Sequence, residues 1–262
     1  MIRSYSPSPP LTPHTIFPLL TCIIWRLPLP SFQFEMDVGW GEPTGALGTL
    51  FHLFMASFNA VLLRKVRAAA RDNSAVYDPE GQIPEYGGQF KYLTHINLWA
   101  QLFYFTFQFL TDLLPESFNS KDNIQSHLSL AFTTVIFPMA CYVAFSFWAV
   151  YTYNADLTYR EVSPLLNHLS HTAIVVWVVL EVLMCRHEFP SLSFAAVPIL
   201  ACCFLYILWV EWIHMLTGFW VYPIFNTLPR TLVCFISFYA FSISICLGLF
   251  LVGKMISIYI WG

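Results

Sequence analysis

An all-α bundle of about six membrane-spanning helices is the fold this sequence predicts, and three observations predict it. Charged residues make up 10% of the 262-residue chain and hydrophobic residues 57%, where soluble domains carry about 25% charged residues. Mean hydropathy is +0.62, and 25 residues are Phe. A soluble domain of this length could not hide that much apolar surface, because surface grows almost as fast as mass. The apolar residues also fall into runs long enough to cross the hydrocarbon, separated by segments rich in Pro, Asn, Asp and Gly. The 12 basic and 15 acidic residues leave a net charge of -3, which gives no sign of nucleic-acid binding. Seven cysteines without a CxxC pair read as small buried hydrophobes rather than disulfides or zinc ligands.

Residues 1–40 stand apart. Pro7, Pro9, Pro10, Pro13, Pro18, Pro28 and Pro30 forbid a continuous helix there. The apolar stretch from Ile16 to Trp25 is too short to span a bilayer and lacks the small-residue cleavage site of a signal peptide. A poorly ordered leader is expected, followed by a transmembrane helical domain over 45–262.

Six spans follow in order, near 45–63, 92–111, 128–151, 166–184, 192–213 and 231–256. The first ends where Arg64, Lys65 and Arg67 begin the only basic cluster, and the segment from Ala75 to Gly88 leads to the second. Pro115 to Asn123, Asn154 to Pro164, Arg186 to Ser191 and Gly218 to Pro229 separate the others. By the positive-inside rule the loop carrying Arg64 to Lys91 faces the cytosol. No internal repeat points to a transporter of inverted halves.

Polar residues at membrane depth need either a partner or a role. In the second span Thr94, Asn97, Gln101, Tyr104, Gln108 and Thr111 recur at spacings of three and four, on one helical face. Interhelical hydrogen bonding and a polar track leading into a site both account for such a seam. The fourth span opens on Asn167, His168, His171 and Thr172, and the fifth ends on Glu211 and His214. With six spans, the starts of the second and fourth and the end of the fifth lie on one side of the membrane. Thr94, His171 and His214 then sit within roughly 10 Å of the same interface at 1.5 Å per residue.

A threonine hydroxyl becomes a nucleophile when a base takes its proton, and neutral imidazole is the usual base near neutral pH. Thr94 with His171 is the candidate catalytic pair. Asn167, His168 and His214 are candidates for oxyanion stabilisation or for orienting the base. The same histidines with Glu211 also offer the donor types of a metal site.

At these residues the sequence resembles the androgen-induced / androgen-dependent TFPI-regulating family of multipass membrane proteins. The resemblance is carried by Gly87-Gly88-Gln89-Phe90-Lys91-Tyr92-Leu93-Thr94, Leu110-Thr111-Asp112-Leu113 and Asn167-His168-Leu169-Ser170-His171-Thr172. The run from Ile207 through Glu211, His214 and Gly218 to Tyr222-Pro223, and Tyr259-Ile260-Trp261, carry it further. The resemblance implies a threonine hydrolase cleaving fatty acid esters of hydroxy fatty acids, with Thr94 as nucleophile and His171 as catalytic histidine. It implies no cofactor, and no metal is assigned. Expected partners are the lipid bilayer and a lipid ester substrate, without nucleic acid, in an endomembrane or plasma membrane. A non-catalytic membrane regulator or scaffold and a metal-dependent lipid hydrolase are the alternatives.

Overall fold

In the computed structural model, residues 45–72, 85–158 and 163–262 are described, so the expected leader over 1–40 lies outside the described residues. Six long helices follow one another: α1 (Gly45–Asp72), α2 (Leu93–Asp112), α3 (Lys121–Tyr153), α4 (Pro164–Met184), α5 (Leu192–Thr217) and α6 (Leu232–Trp261). No strand occurs among the described residues. Five of the six are long and apolar enough to cross a membrane, and the chain is a multi-pass membrane protein. The exception is α2, whose length of 20 residues suffices but whose polar seam dilutes its hydropathy.

That composition decides where α2 sits. Buried backbone and side-chain polar groups cost several kcal/mol in hydrocarbon unless paired, so a helix this polar must be wrapped in protein. α1 runs along α2, and Met55, Phe105, Phe132, Phe137, Val178 and Val182 from the first four helices close a common core. Leu62, Val66, Leu98, Val143 and Ile174 form a second core among the same four. α5 and α6 lie outside and hold Ala195, Ile199, Cys246 and Phe250 between them. Their outer faces expose Phe204, Leu208, Ile236 and Val252, as expected of a surface that meets lipid.

Four observed helices, α1, α3, α5 and α6, overrun their expected ends, and for the two largest overruns the reasons are local. α1 continues through the basic residues to Asp72, because leaving the hydrocarbon does not end a helix that lacks a Pro or Gly stop. α3 begins at Lys121, with Asp122 in its first turn complementing the helix dipole. Within α3 a π turn covers Phe132–Ile136, just before Pro138. A proline supplies no N–H and crowds the carbonyl four residues back, and a π turn absorbs that break. Thr133 and Thr134 donate their hydroxyls to the Leu130 carbonyl, at 3.2 and 2.7 Å.

Gly253 sets the approach of α6 to α3. A Cβ there would lie 2.5 Å from Phe137 Cε1 and 2.8 Å from Phe189 Cε1, whereas one at Gly248 would meet nothing within 4 Å. Gly253→Ala therefore overpacks the interface and is expected to cost about 1–3 kcal/mol. Gly248→Ala should leave stability unchanged or slightly raised. Thermal unfolding of the two variants in one detergent separates them.

Candidate active site

The candidate site is built at the paired starts of α2 and α4. A 3₁₀ turn, Gly88–Lys91, leads into α2 and places Thr94 in its first turn. Gly87 opens the turn at φ 79°, and a Cβ there would meet Trp209 at 3.2 Å and Ile213 at 3.3 Å, so positive φ and close approach both demand glycine. α5 clamps the turn from outside. Trp209 Nε1 donates to the Phe90 carbonyl at 3.0 Å and Trp212 Nε1 to the Tyr86 hydroxyl at 3.0 Å.

A directed chain of hydrogen bonds completes the clamp. The Leu93 N–H donates to the Tyr222 hydroxyl at 3.0 Å, and the Tyr206 hydroxyl donates to the Lys91 carbonyl at 3.0 Å. The two tyrosines are 2.5 Å apart. Since Tyr206 spends its proton on the carbonyl, Tyr222 must donate to Tyr206. Backbone groups on either side of Tyr92 are thereby satisfied by two side chains. Burial among these groups raises the Tyr222 hydroxyl above its usual range, which keeps it a donor.

On the other side, a π turn over Leu169–Ala173 interrupts α4. π turns shift carbonyls out of the i→i+4 register and recur at functional sites. Here the Asn167 carbonyl lies 3.0 Å from His171 Nδ1. A carbonyl only accepts, so Nδ1 carries the proton and Nε2 presents its lone pair. Thr94 Oγ1 lies 3.2 Å from that Nε2. Ser170 Oγ sits 3.1 Å from Nδ1 while donating to the Leu166 carbonyl at 2.8 Å. Phe147 of α3 stacks on the imidazole, with ring centroids 3.7 Å apart at 14°. The ring is thus held by a hydrogen bond at one edge, a stacked face, and Thr94 at the other edge.

The other expected site residues are dispersed. Asn167 contributes through its backbone, and its side-chain Oδ1 has no partner among the described residues. His168 turns away, stacked on Trp148 at 5.0 Å with Nδ1 3.3 Å from Thr172 Oγ1. His214 stacks on Trp220 at 3.6 Å, and Glu211 accepts from Tyr239 of α6. The histidines and Glu211 therefore do not assemble a metal centre: the described group with suitable donors lies elsewhere. Sequence spacing put His168 and His171, three apart, on one helical face, but His168 is exposed and His171 buried. It could not foresee that the π turn would rotate the second residue inward.

The polar seam of α2 divides. Tyr104 donates to Glu181 of α4 at 2.7 Å and Thr111 to the Phe107 carbonyl at 2.8 Å. Nearer Thr94, the buried His95, Asn97 and Gln101 side chains have no partner among the described residues. Beside His171 a largely apolar groove of about 670 Å³ runs between α3, α4 and α6, lined by Phe145, Trp148, Val175, Val176 and Val252 among others. Phe145, Val176 and Val252 leave it half exposed on its outer side. Phe147 and Ser170, which shape the histidine, had no signature in the sequence beyond being ordinary residues of an apolar span.

Residues 47–257 match the FAR-17a/AIG1-like protein family. The human androgen-dependent TFPI-regulating protein is 28% identical over 220 residues, covering 81% of this chain and 93% of the relative. The same protein of Mesocricetus auratus is 34% identical over 185 residues, covering 67% and 78%. The human androgen-induced gene 1 protein is 30% identical over 192 residues, covering 67% and 79%. No solved structure matches the chain.

The tyrosine chain yields a test of how Thr94 is positioned. Tyr206→Phe and Tyr222→Phe each strand a buried hydrogen-bonding group, at about 1–3 kcal/mol. Because both serve one chain of bonds, the double variant should cost clearly less than the two single losses together. A double-mutant cycle on thermal or denaturant unfolding measures that difference.

Proposed function

This chain belongs to the FAR-17a/AIG1-like family, and on that premise we propose that it is a membrane ester hydrolase with Thr94 as nucleophile and His171 as general base. The observation that carries the reading is the 3.2 Å approach of Thr94 Oγ1 to His171 Nε2, with the tautomer set by Asn167 O at Nδ1. An unprotonated nitrogen facing a hydroxyl is what nucleophile activation requires.

In the proposed reaction Thr94 Oγ1 attacks the ester carbonyl while its proton passes to His171 Nε2. The imidazolium, still held at Nδ1 by Asn167 O, then protonates the departing alkoxide. The acyl group is left as an ester of Thr94. Water gives a proton to Nε2 as it attacks that ester, and collapse returns the proton to Thr94 and releases the fatty acid. The tetrahedral oxyanion needs donors; His95, next to Thr94 with neither nitrogen partnered among the described residues, and the Asn167 side chain are the candidates.

Fatty acid esters of hydroxy fatty acids suit the surroundings. The apolar groove reaches His171 and accepts an acyl chain laterally from the bilayer. The unpartnered polar groups of Asn97 and Gln101 offer hydrogen bonds to polar parts of the substrate or to the attacking water.

Fluorophosphonate labelling of membranes holding wild type, Thr94→Ala and His171→Ala at equal levels tests the pair. Wild type should label and both variants should not. Hydrolysis of a hydroxy-fatty-acid ester should fall by about 10²–10⁴-fold on loss of the base. Retention of full hydrolysis in both variants would remove the pair and leave a regulator or scaffold as the reading. Val176→Trp, which narrows the groove without touching the pair, should raise KM for long-chain esters and spare short-chain ones.

A further inference from the structure

A second polar cluster lies at the opposite end of α2 from Thr94. The separation of Thr94 and Asp112 along that helix is about 27 Å at 1.5 Å per residue. His52 of α1, Asp112 of α2, Glu181 of α4, and Cys185 and His187 just beyond α4 meet there. His52, Glu181, Cys185 and His187 are all buried. The proposed reaction uses none of them.

The hydrogen bonds divide this cluster atom by atom. Asp112 Oδ2 lies 2.6 Å from His52 Nδ1, so the carboxylate accepts a hydrogen bond from Nδ1–H and fixes the ring. Glu181 Oε1 receives the Tyr104 hydroxyl at 2.7 Å and His187 Nε2 at 3.0 Å. Ser129 Oγ stands 3.1 Å from the other nitrogen of His187, and Phe132 stacks on its ring at 4.4 Å. These contacts leave three atoms to meet one another: His52 Nε2, Glu181 Oε2 and Cys185 Sγ.

Those three atoms converge. Nε2 is 3.1 Å from Oε2 and 3.7 Å from Sγ, and all three lie within 4.8 Å of one another. Nε2 meets Oε2 in one of two ways: as an imidazolium N–H donating to the carboxylate, or, with Nδ1 alone protonated, as a lone pair that shares a bound cation with Oε2 and the thiolate. Tetrahedral zinc, with bonds of about 2.0 Å to nitrogen and oxygen and 2.3 Å to sulfur, separates N from O by about 3.3 Å and N from S by about 3.6 Å. The observed 3.1 and 3.7 Å lie within about 0.2 Å of those separations, so zinc would enter between the three atoms with little movement of the side chains.

We propose that His52 Nε2, Glu181 Oε2 and Cys185 Sγ bind a zinc ion that ties α1 to the end of α4. Thiolate and imidazole select zinc over magnesium or calcium. One glutamate and one thiolate neutralise the divalent ion, which suits a buried site. The thiol gives up its proton on binding, and the fourth position is left to water. Asp112 behind His52, and Tyr104 and His187 behind Glu181, are the orienting partners that metal ligands ordinarily have. Cys185 thereby takes a role that composition alone denied to the cysteines of this chain.

Metal content of detergent-purified protein, together with cobalt substitution, tests the site. Wild type and Thr94→Ala should each carry about one zinc per chain. Cys185→Ser and Glu181→Gln should carry less than about a tenth of that after brief chelation. Replacing zinc by Co(II) in wild type should give thiolate-to-metal charge-transfer absorption, absent in Cys185→Ser. Wild-type protein that elutes as a single folded species without zinc, and that acquires no such absorption with Co(II), would overturn the proposal in favour of a proton shared by His52 and Glu181. The wild-type measurement stands even where a ligand variant fails to fold.

Discussion

Everything in this molecule follows from the cost of putting α2 inside a membrane protein. Its face of Thr94, Asn97, Gln101 and Tyr104 cannot meet lipid, because hydrocarbon supplies no hydrogen bonds and each stranded group costs several kcal/mol. α1, α3 and α4 therefore surround it, and their apolar faces close on Leu98 and Phe105. α5 and α6, with little polarity to hide, are left to the outside. The same constraint makes the two ends of α2 the places where polar side chains from several helices meet.

At the Thr94 end the protein orients its histidine without a carboxylate. The Asn167 carbonyl holds Nδ1–H, where a hydrolase triad would place an acid. A backbone carbonyl carries no net charge, so it needs no counterion and incurs none of the desolvation of a buried ion. Such an arrangement holds the tautomer but stabilises the imidazolium less than a carboxylate would. The π turn in α4 is what brings that carbonyl and the ring into register. Its counterpart in α3 is enforced by Pro138; the one in α4 has no proline, and the paired Ser170 and His171 contacts are what occupy its opened ladder.

Much of this was legible in the sequence. Apolar runs located the helices, because hydrocarbon thickness sets their length, and the common depth of Thr94 and His171 followed from alternating span direction. Depth is only one coordinate, however. His214 shares the depth but faces Trp220, and His168 shares the helix but faces Trp148; azimuth around each helix depends on packing and on a π turn that no spacing rule announces. His52 and Glu181 went unread for a different reason. Each is a single ionisable residue within an apolar run, and their pairing spans 129 positions. An ionisable residue alone in a span was itself a signal, yet it names no partner until the helices are placed.

The two ends of α2 differ in how completely their polar groups are used, and that difference has a mechanical meaning. Around Glu181 each carboxylate oxygen has a partner, and helices α1, α2 and α4 are all tied in. Around Thr94 the His95, Asn97 and Gln101 side chains keep atoms with no hydrogen-bond partner among the described residues, which leaves hydrogen-bonding capacity for a ligand or water. A saturated cluster is rigid, because any displacement breaks several buried bonds together. An unsaturated one can exchange partners at little cost. A rod anchored at one end can hold its other end in place while the groups there change partners, and a nucleophile that must remain 3.2 Å from its base while substrate and product come and go needs that combination. The anchor and the reactive pair are thus placed on the same helix because a rigid α2 is the shortest connection between them.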